Sequence, residues 1–292
     1  MEGAEKVSGQ VQIVTDSTLD LDEELISRYG IHVVPLSVTV DGVSYKDGVD
    51  VSRKEYLTML TSAEELPKSS QPSPGDFQEV YDNLYHQGHS SIVSIHMSSG
   101  MSGTYTSAEQ AAALTEAEVS VIDSAYISTA LGFQVLEAAV MAADGRSPDE
   151  IIDRLERVRS STSLYIMVDT LEYLLKGGRI GRGRALVGSL LKIKPIASLE
   201  DGVYTPVTKA RTHAQVLKQL QQLFEKDTNG KTVKGAGIAH AGALELSGKL
   251  KEKLAPASGA EISIIDTTPI ISTHTGPGAV ALMFYTEPDE EA

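Results

Sequence analysis

No cysteine occurs among the 292 residues, which excludes disulfides, thiolate metal sites and a cysteine nucleophile. Any catalysis must use other groups. Nor does any apolar run approach the roughly 18 residues needed to cross a bilayer. The opening MEGAEKVSGQ lacks the charged-then-apolar layout of a secretory signal. A cytoplasmic protein without an integral membrane segment is therefore expected. Positive charge is also scarce. The chain has 25 Lys and Arg against 40 Asp and Glu, and its formal charge of −15 repels nucleic acid and anionic lipid at long range. Nucleic acid is not an expected partner. His240 and His274 lie far apart in sequence, and no H-x-x-x-H pair or Asp-rich loop occurs, so no metal ligand is assigned. The phosphate loop G-x-x-x-x-G-K-[ST] is missing. Gly100-Met101-Ser102-Gly103 has the wrong spacing for a G-x-S-x-G nucleophile turn, and the S-x-x-K string Ser189 to Lys192 reads as coincidence in a short apolar segment.

What is present is an ordinary globular composition, 41% hydrophobic, in a chain long enough for one large domain or two modest ones. The pattern favours two. Val11 to Val14 reads as a strand running into Asp16-Ser17-Thr18, where Asp16 suits a turn cap better than a catalytic carboxylate. Leu21 to Tyr29 has helical spacing closed by Gly30, and Ile31 to Val40 reads as a second strand before the turn-rich pairs Asp41-Gly42 and Asp47-Gly48. Ser52 to Glu55 has the capping-box form that opens a helix. A Pro- and Ser-rich loop spans Leu66 to Pro74, and Ser73-Pro74 then starts a helix reaching Tyr85. Ser91 to Met97 is strand, Tyr105 to Ala117 helix, and Val119 to Asp123 strand. Helices follow at Ala125 to Ala143 and Pro148 to Ser160. Such alternation predicts a mostly parallel sheet flanked by helices.

A second βα series starts at Leu164, which places a domain boundary near Ser160 to Ser163. Helices are expected at Leu171 to Lys176 and Arg184 to Leu191, followed by a hairpin Pro195 to Val207 turned by Asp201-Gly202. After a helix capped by Thr212 come strand Gly235 to His240, helix Leu244 to Leu254, strand Ile262 to Asp266 and closing strand Ala279 to Tyr285. The division is thus a tail (1–10), an N-terminal α/β domain (11–161), a C-terminal α/β domain with a mixed sheet (162–287) and an acidic tail (288–292).

Three hydroxyl-rich clusters carry the candidate chemistry. Ser98 to Thr104 lies between a strand and a helix start, where free N–H groups and the helix dipole favour an anion; a capped turn without a ligand explains it equally well. Ser69-Ser70-Gln71-Pro72-Ser73 is the second. In the third, Ser272 to Gly278, His274 sits among hydroxyls without a carboxylate beside it, which favours binding over catalysis. A serine/histidine hydrolase or acyltransferase using Ser102 and His274 is the alternative. Against the general acidity, Lys176 to Arg211 holds eight basic residues and only Glu200 and Asp201 as acids, a candidate docking patch or merely a solvated helix end.

These clusters, together with Val14 to Thr18, Tyr173 to Ile180, Leu191 to Pro195 and His274 to Gly278, resemble the DegV family of bacterial fatty-acid-binding proteins. The likeness runs from about Val11 to Tyr285. It implies two α/β domains, an acyl chain in a tunnel through the first, and the carboxylate near the domain interface. By resemblance, Ser69 and Ser102 match hydroxyls that bind the carboxylate and His274 the histidine beside it. The Gly103 and Thr104 amides and Thr275 are expected to assist. Members usually carry Thr at the Ser69 position. The resemblance also implies a fatty acid kinase as partner, docked at Arg179 and Arg211, with acyl phosphate for phospholipid synthesis as the product of that kinase. The chain itself would catalyse nothing and need no cofactor. A long-chain fatty acid such as palmitate is the expected ligand.

Overall fold

The computed structural model describes residues 10–186 and 193–288. The two expected tails fall largely outside these residues, as do Leu191-Lys192 and most of the helix expected over 184–191. Before that gap, residues Gly181–Leu186 form a 3-10 turn.

The first half runs β1 (Gln12–Asp16), α1 (Glu23–Tyr29), β2 (His32–Val34), β3 (Ser37–Val40), β4 (Val43–Lys46), α2 (Arg53–Ser62), β5 (Lys68–Ser70), α3 (Pro74–His86), β6 (Ser91–His96), α4 (Thr104–Ala112), β7 (Glu118–Asp123), α5 (Ser128–Ala143) and α6 (Pro148–Ser161). Four of the strands make an all-parallel sheet ordered β2-β1-β6-β7. Both faces are covered, so β6 is buried from Ile92 to His96 rather than alternating. The helix starts are local chemistry. Ser52, Ser73 and Ser147 each accept from the backbone N–H three residues on, and Glu55, Asp76 and Glu150 reach back to complete capping boxes. Helix α1 ends on Gly30 at φ 62°, a left-handed position that glycine adopts without strain.

The expected strand Ile31 to Val40 is in fact two strands in two sheets. Pro35 has no N–H to contribute to a ladder and breaks the run. Strand β2 pairs with β1, whereas β3 crosses into a three-stranded antiparallel sheet ordered β4-β3-β5. Two of its members arise where turns and loop were expected. The Asp41-Gly42 turn is tight enough to fold β4 straight back on β3, and β5 uses the Pro- and Ser-rich segment.

The second half comprises β8 (Thr162–Met167), α7 (Glu172–Lys176), β9 (Lys194–Glu200), β10 (Val203–Ala210), α8 (His213–Thr228), β11 (Lys231–His240), α9 (Leu244–Ser258), β12 (Ile262–Asp266), α10 (Pro269–Thr275) and β13 (Val280–Pro288). Its six strands form a mixed sheet ordered β10-β9-β8-β13-β11-β12, in which only β11 and β12 run parallel. The α/β architecture expected from the sequence is present. The β9–β10 hairpin turns on Asp201 and Gly202, both at positive φ, as a two-residue hairpin requires. Helix α10 lies in a stretch to which the sequence pattern assigns no element. It is capped by Thr268, begins with Pro269 and ends at Gly276, and its β-branched residues are held by burial rather than by helical propensity.

One apolar cluster joins the halves, bringing Leu36, Val38 and Tyr56 together with Leu164, Ile166, Leu199 and Ile271. A partly buried ion pair lies at the seam. Arg53 lies 3.0 Å from Asp20 and donates to the Asp266 carbonyl, while Ser128 and Thr267 donate to the other Asp20 oxygen.

Candidate functional site

Within this joint core lies a cavity of about 340 Å³. Leu36, Met97, Met101 and Ile127 of the first half wall it together with Leu164, Ile166, Leu174, Leu199, Ile270 and Ile271 of the second. The cavity is thus built by both halves and does not run through the first alone. Its volume is in the range of about 300–1,000 Å³ usual for small-molecule sites, and apolar walls with few polar groups are the usual lining.

Those polar groups converge from four segments. Strand β5 carries Ser69, and α10 carries His274 at its last turn, so the two meet only because α10 packs against the three-stranded sheet. Ser69 Oγ and His274 Nε2 are 2.7 Å apart. Burial, aided by the nearby Arg179 charge, pushes the imidazole down from 6.5 to about 4, so it is neutral at physiological pH. Its Nδ1 is buried without a hydrogen-bond partner and faces Gly177, where an added Cβ would stand only 2.3 Å away. A stranded N–H is rarer than an unused lone pair. The network therefore assigns the proton to Nε2, which donates to Ser69 Oγ and leaves the Ser69 hydroxyl proton to point elsewhere.

The Ser98 to Thr104 loop divides its work. Ser98 Oγ donates to the Gly202 carbonyl, and Gly202 and Gly100 allow the β9–β10 turn to press against the loop. Only Met101 and Ser102 of this loop line the cavity. Ser102 Oγ is 2.9 Å from Thr104 Oγ1 and accepts from the Thr104 N–H. Of the Gly103 and Thr104 amides expected to assist at a carboxylate, that of Thr104 is engaged by Ser102 Oγ. Neither residue lines the cavity, Thr104 is fully buried, and Gly103 instead makes room for the Gln71 amide. Thr275 does line the cavity, but its hydroxyl donates back to the Ile271 carbonyl.

Arg179, expected with Arg211 on an outer surface, is part of the cavity wall. Its Nε donates to the Met101 carbonyl and its Nη1 to the Gly177 carbonyl, which hold the guanidinium between the Ser102 loop and the His274 pocket. Nη2 makes no hydrogen bond among the described residues. Arg211 is exposed and lines a separate groove with Lys209 and Lys218, so the structure does not bring the two arginines together. Much of the basic stretch between them is neutralised, since Arg182 pairs with Glu200 and Asp201, and Lys194 with Asp169. Tyr204 is a lining residue the sequence reading missed, because only the fold turns its ring inward from β10.

The geometry bears on the hydrolase alternative. Ser102 is hydrogen-bonded to Thr104 and His274 to Ser69, so no serine and histidine of this site form a bonded pair with a carboxylate behind it. A Ser94–His96–Asp16 relay does exist, with contacts of 2.7 and 3.2 Å. All three are fully buried, Tyr81 occupies the Ser94 hydroxyl, and none lines the cavity. Burial raises the Asp16 pKa, but His96, Thr18 and the Met97 N–H outweigh it and keep the carboxyl below its ordinary value. Asp16 is thus a turn cap tied into the core. Among the described residues no group of three or more His, Asp or Glu is placed to hold a metal ion, and no helix is long and apolar enough to cross a membrane.

Comparison with known proteins points one way. The model of the family described as "uncharacterised protein, DegV family" matches residues 10–287. A DegV domain-containing protein of Staphylococcus aureus strain N315 is 40% identical over 274 residues, covering 93% of this chain and 97% of its own. The structure of a DegV family protein from Thermus thermophilus, described for its fatty acid binding, superposes with a TM-score of 0.90 at 32% identity, covering 95% of this chain and all (100%) of the other. DegV of Bacillus subtilis, described as a fatty acid binding protein, superposes with a TM-score of 0.88 at 32% identity, covering 96% and 100%.

Proposed function

The chain belongs to the DegV family, and from that premise we propose that it binds one long-chain fatty acid, such as palmitate, in the cavity between its two halves. Residues 11–161 and 162–287 act as two α/β domains that clasp the ligand, a division that follows sheet membership. The observation that carries the proposal is one apolar chamber whose polar groups, Ser69, Ser102, Arg179 and His274, are linked through Met101, Gly177 and one another. A dozen methylenes at about 0.8 kcal/mol each give on the order of 10 kcal/mol of gross burial, enough to offset the costs of binding. The head group requires polar compensation. Arg179 supplies the counter-charge, and the Ser69 and Ser102 hydroxyls supply donors to a carboxylate with about four acceptor sites.

The chain then serves as a carrier. It presents the carboxylate to a fatty acid kinase, which forms the acyl phosphate used in phospholipid synthesis, while the chain performs no bond-making step itself. Arg211 and its neighbours Lys209 and Lys218 supply the kinase-docking surface. Lipid extraction and native mass spectrometry of the purified chain test the binding: one fatty acid per chain is expected, and repeated recovery of empty protein overturns the reading. Charge reversal at Arg211 should weaken kinase coupling while leaving fatty acid content unchanged. Intact coupling in that variant removes the docking role.

A further inference from the structure

A groove of about 1110 Å³ runs between α1 and α5 of the first half and strand β12 of the second, and it shares no residue with the cavity. Strand β12 is the last in its sheet and pairs with β11 alone among the described residues. Helix α5 closes over β11, where Gly235 and Gly237 let Phe133 and Thr129 come near, but β12 lies one strand further out. Ser263 to Asp266 line the groove without a break, and successive residues of a strand face opposite sides, so the edge of the strand is what borders it. The backbone pattern agrees. The Thr267 N–H donates to the His240 carbonyl, and in a parallel ladder alternate residues turn both backbone groups to one neighbour, so Ile262, Ile264 and Asp266 turn theirs outward. The Asp266 carbonyl is taken by Arg53, whereas no strand meets Ile262 and Ile264 on that side among the described residues.

The walls select what can pair there. Phe133, Leu136 and Val140 of α5 give the groove an apolar side, and exposed carboxylates stand at both ends. Glu261 precedes β12 at one end. At the other, Arg53 ties Asp20 to Asp266, which brings the acidic start of α1, with Glu23 and Glu24, beside the end of the strand. Arg53 is engaged by Asp20 and Lys234 by Glu287, so the groove holds no free cation for these glutamates among the described residues. A second copy of this chain, at −15, is repelled, and charges beside an open edge are a common guard against such self-pairing. We propose that the free edge of β12 is a docking site for a partner protein, which adds to it an extended segment with an apolar centre and basic residues on both sides. Its backbone pairs with Ile262 and Ile264, its centre covers the α5 wall, and its basic ends meet the glutamates. Main-chain pairing supplies affinity in such strand addition, and the side chains supply specificity. The surface is separate from the basic groove at Arg211 and does not depend on the fatty acid reading.

The test uses the full-length chain and a short labelled peptide with a Val-Ile-Val centre flanked by lysines, in about 0.15 M salt, where a screening length of about 8 Å suppresses long-range attraction. Fluorescence anisotropy reads binding, and hydrogen exchange reads the edge. The peptide should bind, and the amides of β12 should exchange more slowly in its presence. A peptide with serines at its centre should bind at least about tenfold more weakly, because it cannot cover the apolar wall. Glu24→Lys combined with Glu261→Lys should weaken binding about tenfold or more while fatty acid content stays unchanged. Glu79→Lys combined with Glu116→Lys makes the same change of net charge on the α3 side of the parallel sheet and should alter binding by less than about threefold. Equal loss in the two pairs shows only attraction to an acidic chain and overturns the proposal. Failure to bind, binding without slower exchange in β12, or equal affinity for the two peptides overturns it as well. These last three are read on the unmodified chain and stay decisive if a variant does not fold.

Discussion

Ser69 Oγ and His274 Nε2 are 2.7 Å apart although 205 positions separate them in the chain. The imidazole is neutral, so this contact orients the serine rather than charging it. With Nε2 donating, the Ser69 proton is directed to whatever acceptor occupies the cavity. Ser69→Ala therefore removes a hydrogen bond to a charged group, worth about 1.5–3 kcal/mol, and should weaken fatty acid affinity about ten- to a hundredfold. Isothermal titration of delipidated protein with palmitate checks this. Ser69→Thr keeps the hydroxyl and should stay within a few-fold of the unmodified chain.

The pH dependence has a definite sign. His274 drops from 6.5 to about 4 on folding, so between those values the unfolded chain binds the extra proton and the folded chain does not. The empty protein should lose up to about 3 kcal/mol of stability as pH falls through that window. A bound carboxylate opposes the Arg179 charge and favours the imidazolium, so loading with fatty acid should move the His274 pKa upward. Imidazole chemical shifts followed from pH 7 to pH 4, with and without ligand, measure both effects. An unchanged pKa on loading would place the carboxylate away from His274.

Arg179 couples to the same titration. Its charge is the second cause of the depressed histidine, after burial. Arg179→Ala should raise the His274 pKa in the empty protein and weaken fatty acid binding by more than Ser69→Ala does, because the ligand loses its counter-ion. Arg179→Lys separates charge from shape. It keeps the positive charge but cannot span the Met101 and Gly177 carbonyls as the guanidinium does, so its affinity should fall between the two.

A different residue holds the halves in register. Asp20 is fully buried, and burial raises its pKa despite the nearby Arg53. Arg53→Ala leaves that carboxylate without its cation and breaks the contacts to the Leu19 and Asp266 carbonyls. A loss on the order of 3 kcal/mol is expected. Chemical denaturation at neutral pH measures it, and the loss should shrink as pH falls and Asp20 becomes neutral.

The elements that were legible in the sequence are those whose causes are local. The boxes at Ser52 and Ser147, the Gly30 stop and the Asp201-Gly202 turn each depend on residues within four positions. Burial decided the rest. Pro35 marked the break between β2 and β3, yet nothing near it indicates that the chain changes sheets. Strand β5 exists because β3 offers it an edge, and α10 exists because its apolar residues are enclosed. The site divided the same way. Ser69, Ser102 and His274 carry visible chemistry and do meet at the cavity, whereas Gly103 and Thr104 lie outside its lining, with the Thr104 N–H engaged by Ser102 Oγ. Arg179 carries in the sequence only its charge and its resemblance to docking arginines, and its place in the cavity wall depends on the Met101 and Gly177 carbonyls, which no local pattern indicates.

Gly177 provides the sharpest test of the head-group geometry. Its backbone sits at φ −74° and ψ −9°, an ordinary right-handed conformation that alanine adopts without penalty. On propensity alone Gly177→Ala should be neutral or slightly stabilising. An added Cβ, however, would come within 2.3 Å of His274 Nδ1 and 2.9 Å of the Tyr173 carbonyl, so the imidazole must move. Displacing it breaks the Ser69 contact without removing any polar group. Gly177→Ala should therefore reproduce the affinity loss of Ser69→Ala, and the double variant should bind only slightly worse than either single one, since both act through one hydrogen bond. Additive losses in that cycle would show that Ser69 and His274 contact the ligand independently.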